Sequence, residues 1–160
     1  MNSGIQPFYA RGLNFSCRRC SDCCRLEAGF VFLSVSDLDA LAAVLGMKKG
    51  AFIGTYCRWV PDAGFSVPDG RGGGGRELLS LREKSNFDCI FWKDGCTVYG
   101  ARPLQCRTFP FWESIVHSLE SWNACMRDCP GMGKGRAYSC AEIEIMLTRG
   151  ASEPIITRTV

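Results

Sequence analysis

Four cysteines, Cys17, Cys20, Cys23 and Cys24, crowd the stretch "FSCRRCSDCCRLEAG". The first three have the spacing C-x2-C-x2-C. Two residues between sulfurs let a chain turn around one ion or one cluster corner. Zinc and iron–sulfur clusters both accept four cysteine thiolates, so the run supplies most of such a site. Adjacent residues of an extended chain point opposite ways. Cys23 and Cys24 are therefore not expected to meet one ion together; one is a ligand and the other packed, or they serve separate sites.

The donors that could complete a site lie far downstream. Cys89 and Cys96 flank the turn sequence "KDG", Cys106 follows Arg102-Pro103, and Cys129 precedes Pro130 and a run of glycines. With the first four they make eight thiols, enough for two four-sulfur sites or for one site with spares. A Cys-Pro after the dense run has a chemical analogue in bacterial ferredoxins, at a quite different spacing. Cys57, Cys125 and Cys140 read as core, since free cysteine is commonly buried. His117 is the sole histidine. That excludes Cys2His2 fingers and two-histidine clusters within one chain, and leaves a cysteine nucleophile with a single potential base. Arg18, Arg19, Arg25, Arg58 and Arg107 neighbour cysteines in sequence, where a cation favours thiolate over thiol. A thioredoxin-like role for Cys20 and Cys23 fails for want of a hydrophobic strand before them.

Composition agrees with metal rather than disulfides. The chain has 160 residues, of which 11 are cysteine and 46% hydrophobic, with a net charge of +3. That length predicts one domain, and the mild charge argues against nucleic acid. The opening "MNSGIQPFYARGLNF" lacks the apolar run of a signal peptide, and no stretch nears the roughly 18 apolar residues of a membrane span. The cytoplasm is the expected compartment, and there an odd, clustered set of cysteines points to metal or redox chemistry.

The elements that must position these thiols are short. "GFVFLS" reads as an extended segment. "SVSDLDALAAVLG" is a predicted helix with Ser36 as N-cap and Gly46 as its stop, presenting Leu38, Leu41, Ala42 and Leu45. "KKGAFIGTYCRWV" is a second, glycine-weakened helix, with Phe52, Tyr56 and Trp59 on one side. A loop over residues 61–77 follows. Its glycines 72–75 lack the Lys-Ser/Thr ending of a phosphate loop, so a long hairpin turn is expected there. "ELLSLRE" predicts a strand with Leu79 and Leu81 on one face. "FDCIFWKDGCTVYG" predicts a hairpin, and Pro103 and Pro110 bracket a short helix. Residues 111–128 have mixed periodicity, and "CPGMGKGRAY" reads as a glycine-rich loop. "SCAEIEIMLTRG" is a last helix with Ser139 and Glu142 spaced as a capping box and Gly150 at its end. The fold class is a small, irregular, metal-stapled α+β domain with a few short helices and a short antiparallel sheet. A lead-in over 1–13, a domain over 14–149 and a tail over 150–160 are expected.

The pattern resembles the YkgJ-like cysteine-cluster proteins, a family described as zinc- or iron-chelating and also as iron–sulfur-cluster-containing. The C-x-x-C-x-x-C-C opening carries the likeness. So does a middle block of Cys89, Cys96, Tyr99, Arg102, Pro103, Cys106, Arg107, Phe109 and Pro110. A closing block of Cys129, Gly131, Gly133, Lys134 and Gly135 completes it. Ser21 stands where the family often has glycine, a position read as backbone geometry. The resemblance implies metal or cluster chelation and no particular reaction. Cys17, Cys20 and Cys23 are the leading ligands, then Cys129, Cys89, Cys96 and Cys106, with Cys24 in the set. An iron–sulfur cluster, 4Fe-4S by preference, is expected ahead of zinc, because zinc modules usually present two C-x-x-C pairs. A redox or electron-transfer role, a structural-zinc module that binds a protein partner, and a metal chaperone or sensor are the competing functions.

Overall fold

A computed structural model describes residues 6–25, 28–62 and 75–160. Helix α1 spans Val35–Val44 and starts on a complete capping box. Ser34, rather than the expected Ser36, is the cap, because only Ser34 stands three residues before the carboxylate of Asp37 and can trade hydrogen bonds with it. Gly46, at φ 62°, ends the helix as expected. Leu38, Leu41 and Ala42 turn inward, while Leu45 is left partly exposed.

Helix α2, Lys49–Tyr56, stops earlier than the sequence suggests and runs straight into strand β1, Cys57–Pro61. Trp59 therefore sits on a strand. The run "CRWV" is rich in residues that suit a pleated surface, and tertiary pairing decides in its favour. Strand β2, Arg76–Leu81, pairs antiparallel with β1 from Cys57↔Leu81 to Pro61↔Glu77. The connection expected to carry a long hairpin turn, residues 63–74 with the first three of its four glycines, lies outside the described residues. Strand β3, Thr157–Thr159, pairs with the other edge of β2. Flanked on both edges and covered on both faces, β2 buries Leu78, Leu79, Ser80 and Leu81 alike, where one buried face was expected. The segment 29–34 is extended as anticipated: Phe32 bridges Ser80 and Ser34 bridges Ile155.

A second small sheet stands apart in topology. Strand β4, Leu13–Phe15, pairs antiparallel with β5, Met132–Tyr138, where a glycine-rich loop was predicted. The register jumps from Asn14↔Ala137 to Phe15↔Met132, so residues 133–136 bulge out of the ladder. Gly133 and Gly135 take φ of 71° and 76° there, which is why the strand was hidden behind its glycines. Between the sheets run α3 (Leu104–Thr108), α4 (Glu113–Val116) and α5 (Leu119–Asp128), the last capped by Ser118, whose hydroxyl accepts the Ser121 amide at 3.1 Å. The mixed periodicity of 111–128 is this break between α4 and α5. Helix α6, Cys140–Ser152, has the expected Ser139/Glu142 box and passes Gly150 by two residues.

Two hydrophobic clusters result, and the fold is a small α+β domain. One gathers Leu33, Leu41, Phe52, Leu79, Phe91 and Val98 around the three-stranded sheet. The other gathers Tyr9, Phe15, Phe111, Trp122, Met132 and Ile143 around the two-stranded one. Among the described residues, no helix is long and apolar enough to cross a membrane.

Asp37 ties α1 to α3. It is buried, and it accepts the Ser34 amide at 3.2 Å and the Leu104 amide at 2.8 Å and faces Arg107 at 3.6 Å. Asp37→Ala leaves the buried Ser34 and Leu104 amides unpaired, at roughly 1–3 kcal/mol for each group stranded. We expect a loss of about 3 kcal/mol in urea unfolding.

Glu153 supplies a smaller, pH-dependent contact. Its carboxylate accepts from the hydroxyls of Ser36 and Ser34, which hold its pKa below the ordinary value. A depressed carboxyl stabilises above the unfolded pKa, and the contribution disappears as pH falls through the folded one. Glu153→Gln is expected to lower stability at neutral pH and to flatten the acid limb of a melting-temperature profile below about pH 4.5.

Candidate metal centre

The dense run leaves β4 at Phe15, and its first turn is set by glycines. The Ser16 amide donates to the Gly131 carbonyl at 3.2 Å, and the Ser16 hydroxyl accepts the Arg136 amide at 2.9 Å. A Cβ on Gly131 would lie 2.4 Å from the Ser16 carbonyl oxygen, and one on Gly135 would lie 2.1 Å from its hydroxyl. Both positions must be bare for Ser16 to enter the bulge. Cys17, the next residue, is thereby delivered to the loop that carries Cys129. Arg19 and Ser21 follow with φ of 54° and 70°. Ser21 thus holds the left-handed geometry that favours glycine, in keeping with a position chosen for its backbone.

Asp22–Cys24 close into a 3₁₀ turn, with the Cys24 amide on the Ser21 carbonyl at 2.9 Å. This corrects the expectation that Cys23 and Cys24 diverge. The turn is not extended, and the two sulfurs stand 3.9 Å apart. The Cys24 carbonyl then accepts the Cys89 amide at 2.8 Å, which anchors the end of the run to the other hydrophobic cluster.

Cys89 and Cys96 do flank a turn at "KDG", with Asp94 and Gly95 at φ 52° and 137°. Their flanks meet in the single bridge Trp92↔Cys96 instead of a hairpin ladder, and the Trp92 amide returns to the Cys89 carbonyl at 2.9 Å. Cys106 lies on α3. Asp37 holds that helix from α1. Gln105 holds it from the extended segment, accepting the Phe32 amide at 3.0 Å and donating to the Phe30 carbonyl at 2.8 Å.

The thiols feel one another. Cys23 is pulled down to about 7, first by the hydrogen bond with the Cys24 thiol and also by the charge of Arg102. Cys24 is pushed up by the same hydrogen bond, by burial and by the charges of Cys23, Cys89 and Cys106. Burial pushes Cys106 to about 12, with Cys89, Cys23 and Cys96 adding and Arg102 opposing. Burial also raises Cys89, Cys129 and Cys20. At each of these three, backbone amides work against it: Phe91 at Cys89, Gly131 and Met132 at Cys129, and Asp22 at Cys20. Amides aimed at sulfur favour the anionic form that a metal needs.

The structure thus links Cys24, Cys89, Cys96 and Cys106 electrostatically, and separately Cys17, Cys20 and Cys129, with Cys23 bordering both. Among the described residues, no three Cys, His, Asp or Glu side chains are gathered tightly enough to hold one ion. The donor set nevertheless suits a thiophilic centre: eight thiols, with the dense run fixed at its two ends by the Ser16–Gly131 and Cys24–Cys89 backbone bonds.

The remaining cysteines stand apart by degrees. Cys57 is buried, and burial raises it to about 11. Cys140 packs against the second cluster. Cys125, read as core, is raised to about 11 by burial and also feels the charge of Cys129, one helical turn on. His117 serves its own helix junction, with Nδ1 3.0 Å from the Ser114 carbonyl and Nε2 3.0 Å from the Ser121 hydroxyl.

The arginines divide as well. Arg58 pairs with Glu83 at 2.8 Å, Arg25 with Asp88 at 3.4 Å, and Arg107 faces Asp37. Arg102, which does not adjoin a cysteine in sequence, is the cation that acts on Cys23 and Cys106. Arg102 and Arg19 also stack on Tyr99, at 3.6 and 4.3 Å from its ring centre. The signal for Arg102 was its place four residues before Cys106, ahead of the proline that opens α3.

No solved structure matches the chain. A family model does, over residues 16–130, which takes in all eight of these cysteines. Its description is "putative zinc- or iron-chelating domain". The chain belongs to this CxxCxxCC family of metal-chelating domains.

Proposed function

We propose that the chain holds an iron–sulfur centre of the 4Fe-4S kind through cysteine thiolates. Cys17, Cys20, Cys23 and Cys129 are its first ligands, and Cys24, Cys89, Cys96 and Cys106 belong to the same metal-binding apparatus. One observation carries the reading: two backbone hydrogen bonds, the Cys89 amide to the Cys24 carbonyl at 2.8 Å and the Ser16 amide to the Gly131 carbonyl at 3.2 Å, tie the two ends of the dense run to the neighbourhoods of distant cysteines, Cys89 and Cys129. A dense run completed by distant, singly placed cysteines also favours a cluster over a zinc module. When bound, the cluster would supply a one-electron couple, which makes redox or electron transfer the role we favour. Arg102 is placed to offset the negative charge of the thiolates around Cys23 and Cys106. Residues 14–149 form the binding unit in this reading, and a reducing cytoplasm is the compartment that would keep its thiols free.

A structural zinc is the second reading. The run lies between two separate hydrophobic clusters, and a closed four-thiolate site there would fasten one to the other.

Purification without oxygen or added metal, followed by an absorbance spectrum and iron, sulfide and zinc assays, decides between them. Brown protein with iron and sulfide at about four each per cluster is the expected result. Colourless protein with stoichiometric zinc overturns the cluster in favour of the structural site.

A further inference from the structure

We propose that Cys23 and Cys24 form a reversible vicinal disulfide, an oxidative modification site that shuts the dense run to metal. The bond is inferred from the turn itself; its effect on metal rests on the thiolate reading above.

The backbone brings the two thiols together. The Arg25 amide donates to the Asp22 carbonyl at 3.0 Å, so Cys23 and Cys24 are the two central residues of a closed turn. A 3₁₀ turn rotates successive side chains by about 120°, against the roughly 180° of an extended strand. The sulfurs accordingly stand 3.9 Å apart, and among the described residues no other two cysteines share a sulfur–sulfur hydrogen bond. The turn is held from outside as well. The Cys24 amide donates to the Ser21 carbonyl at 2.9 Å, and the Cys24 carbonyl accepts the Cys89 amide at 2.8 Å. A backbone rotation that parted the thiols would break one of these bonds.

The chemistry is thiol–disulfide exchange, with a low-molecular-weight disulfide such as oxidised glutathione as the oxidant. Cys23 is exposed and Cys24 half-buried, so Cys23 meets the oxidant first. Its thiolate attacks one sulfur of the oxidant, a mixed disulfide forms, and one glutathione leaves as thiolate. Cys24 gives its proton to water, attacks the Cys23 sulfur and expels the second glutathione. The two protein thiols lose two electrons and two protons, and the oxidant takes them up as two thiols. The second step starts close to its goal, since 3.9 Å is a few tenths of an ångström beyond the roughly 3–3.5 Å of a near-attack arrangement.

The bond is also easy to undo. The Cys23–Cys24 peptide is trans. A trans peptide holds neighbouring Cα atoms about 3.8 Å apart, short of the roughly 4.4–6.8 Å of ordinary disulfides. Strain of this kind makes a disulfide reducible, a property of regulatory rather than structural bonds. While it lasts, the run lacks two of its four thiolates, and a disulfide sulfur does not replace them as a ligand.

The full chain is purified without oxygen and exposed to oxidised glutathione, with and without a chelator to empty the site. It is then alkylated, cut with trypsin and read by mass spectrometry. Trypsin releases Cys20–Arg25 as one peptide. In the chelated sample we expect that peptide to carry its alkyl group on Cys20 alone and to be two hydrogens lighter than the dithiol form. Treatment with a dithiol reductant before alkylation should label Cys20, Cys23 and Cys24 alike. After desalting, the oxidised chain should take up at least about twofold less zinc, or iron with sulfide, than the reduced chain, because a four-thiolate site short of donors does not close. Cys24→Ser should stop at the mixed disulfide, seen as a glutathione adduct on Cys23. The mapping on the unaltered chain decides the matter if that variant fails to fold. Alkylation of both Cys23 and Cys24, or a bond from either to another cysteine, overturns the vicinal site and leaves thiolate binding of metal intact. A vicinal bond with undiminished metal uptake overturns its control over metal. A reduced chain that takes up neither zinc nor iron overturns the thiolate-metal reading and that control with it, while the bond stands or falls on the mass spectrum alone.

Discussion

With Cys17, Cys20 and Cys23 all replaced by serine, the chain is expected to keep no more than about half its metal and to lose its single cooperative unfolding transition. Serine hydroxyls are poor replacements for thiolates at a soft-metal site, so three of four donors disappear at once. The energetic scale is large. Apparent binding energies of structural zinc in small peptides run to about 10–16 kcal/mol, which matches or exceeds the roughly 5–15 kcal/mol net stability of a typical domain. The β4–β5 cluster around Phe111 and Met132 should suffer first, because its strand β4 leads directly into the altered run. Metal analysis and near-ultraviolet circular dichroism read the two effects separately. Unchanged metal content in the triple variant would remove the basis for every thiolate-binding role considered above.

Gly131→Ala is expected to weaken the same centre without touching a donor. The new methyl would lie 2.4 Å from the Ser16 carbonyl oxygen and 3.3 Å from the Phe15 ring. The first of these is backbone and has no rotamer to escape into. Ser16 must withdraw, and its hydrogen bond to the Gly131 carbonyl goes with it, so Cys17 moves off from Cys129. Overpacking of this kind costs about 1–3 kcal/mol. At about 1.4 kcal/mol per decade, that is roughly a tenfold to hundredfold loss of metal affinity at the β4–β5 side. The Cys89 side should be unaffected. Gly54→Ala makes a contrasting pair, since nothing lies within 4 Å of a Cβ there and the residue is inside α2. It should raise the stability of the chain by up to about 1 kcal/mol. A competitive chelator titration measures the first effect and urea unfolding the second, and equal metal affinity in Gly131→Ala and the unaltered chain would show that Ser16 does not position Cys17.

These effects turn on features of unequal visibility in the sequence. The capping box of α6, the glycine stop of α1 and the strand around Leu79 rest on local chemistry and are readable from a few residues. So is the run of cysteines, since its spacing carries the chemistry whatever the fold. Strand β5 was not readable, because Gly135 answers to the space Ser16 needs across the ladder and Gly133 to the left-handed turn of the bulge, and neither to strand propensity. The burial of Ser80 and Leu78 was hidden for a similar reason: β3 and the 29–34 segment, distant in sequence, cover β2 from sides the strand itself cannot indicate. Ser34 displaced Ser36 as the cap of α1 by two residues, a choice made by the position of one carboxylate. Asp37 and Arg102 act across long separations, on Leu104 and on Cys23, and neither has a sequence neighbour that announces the partner. The pairing of Cys23 with Cys24 depended on a 3₁₀ turn at Asp22–Cys24, and that turn follows from the left-handed backbone at Ser21.

The two backbone anchors of the run also fix an order in time. Cys17 to Cys24 leave the ribosome well before Cys89, and Cys129 later still. At roughly 5–20 residues per second, the first four thiols wait on the order of several seconds for their partners. During that interval neither the Ser16–Gly131 bond nor the Cys24–Cys89 bond can exist, so nothing holds the four sulfurs apart or shields them. Metal delivered to a nascent chain would meet the run alone. Oxidant would find its easiest target there too, which makes the redox state of the cell during synthesis a determinant of how much protein ever matures.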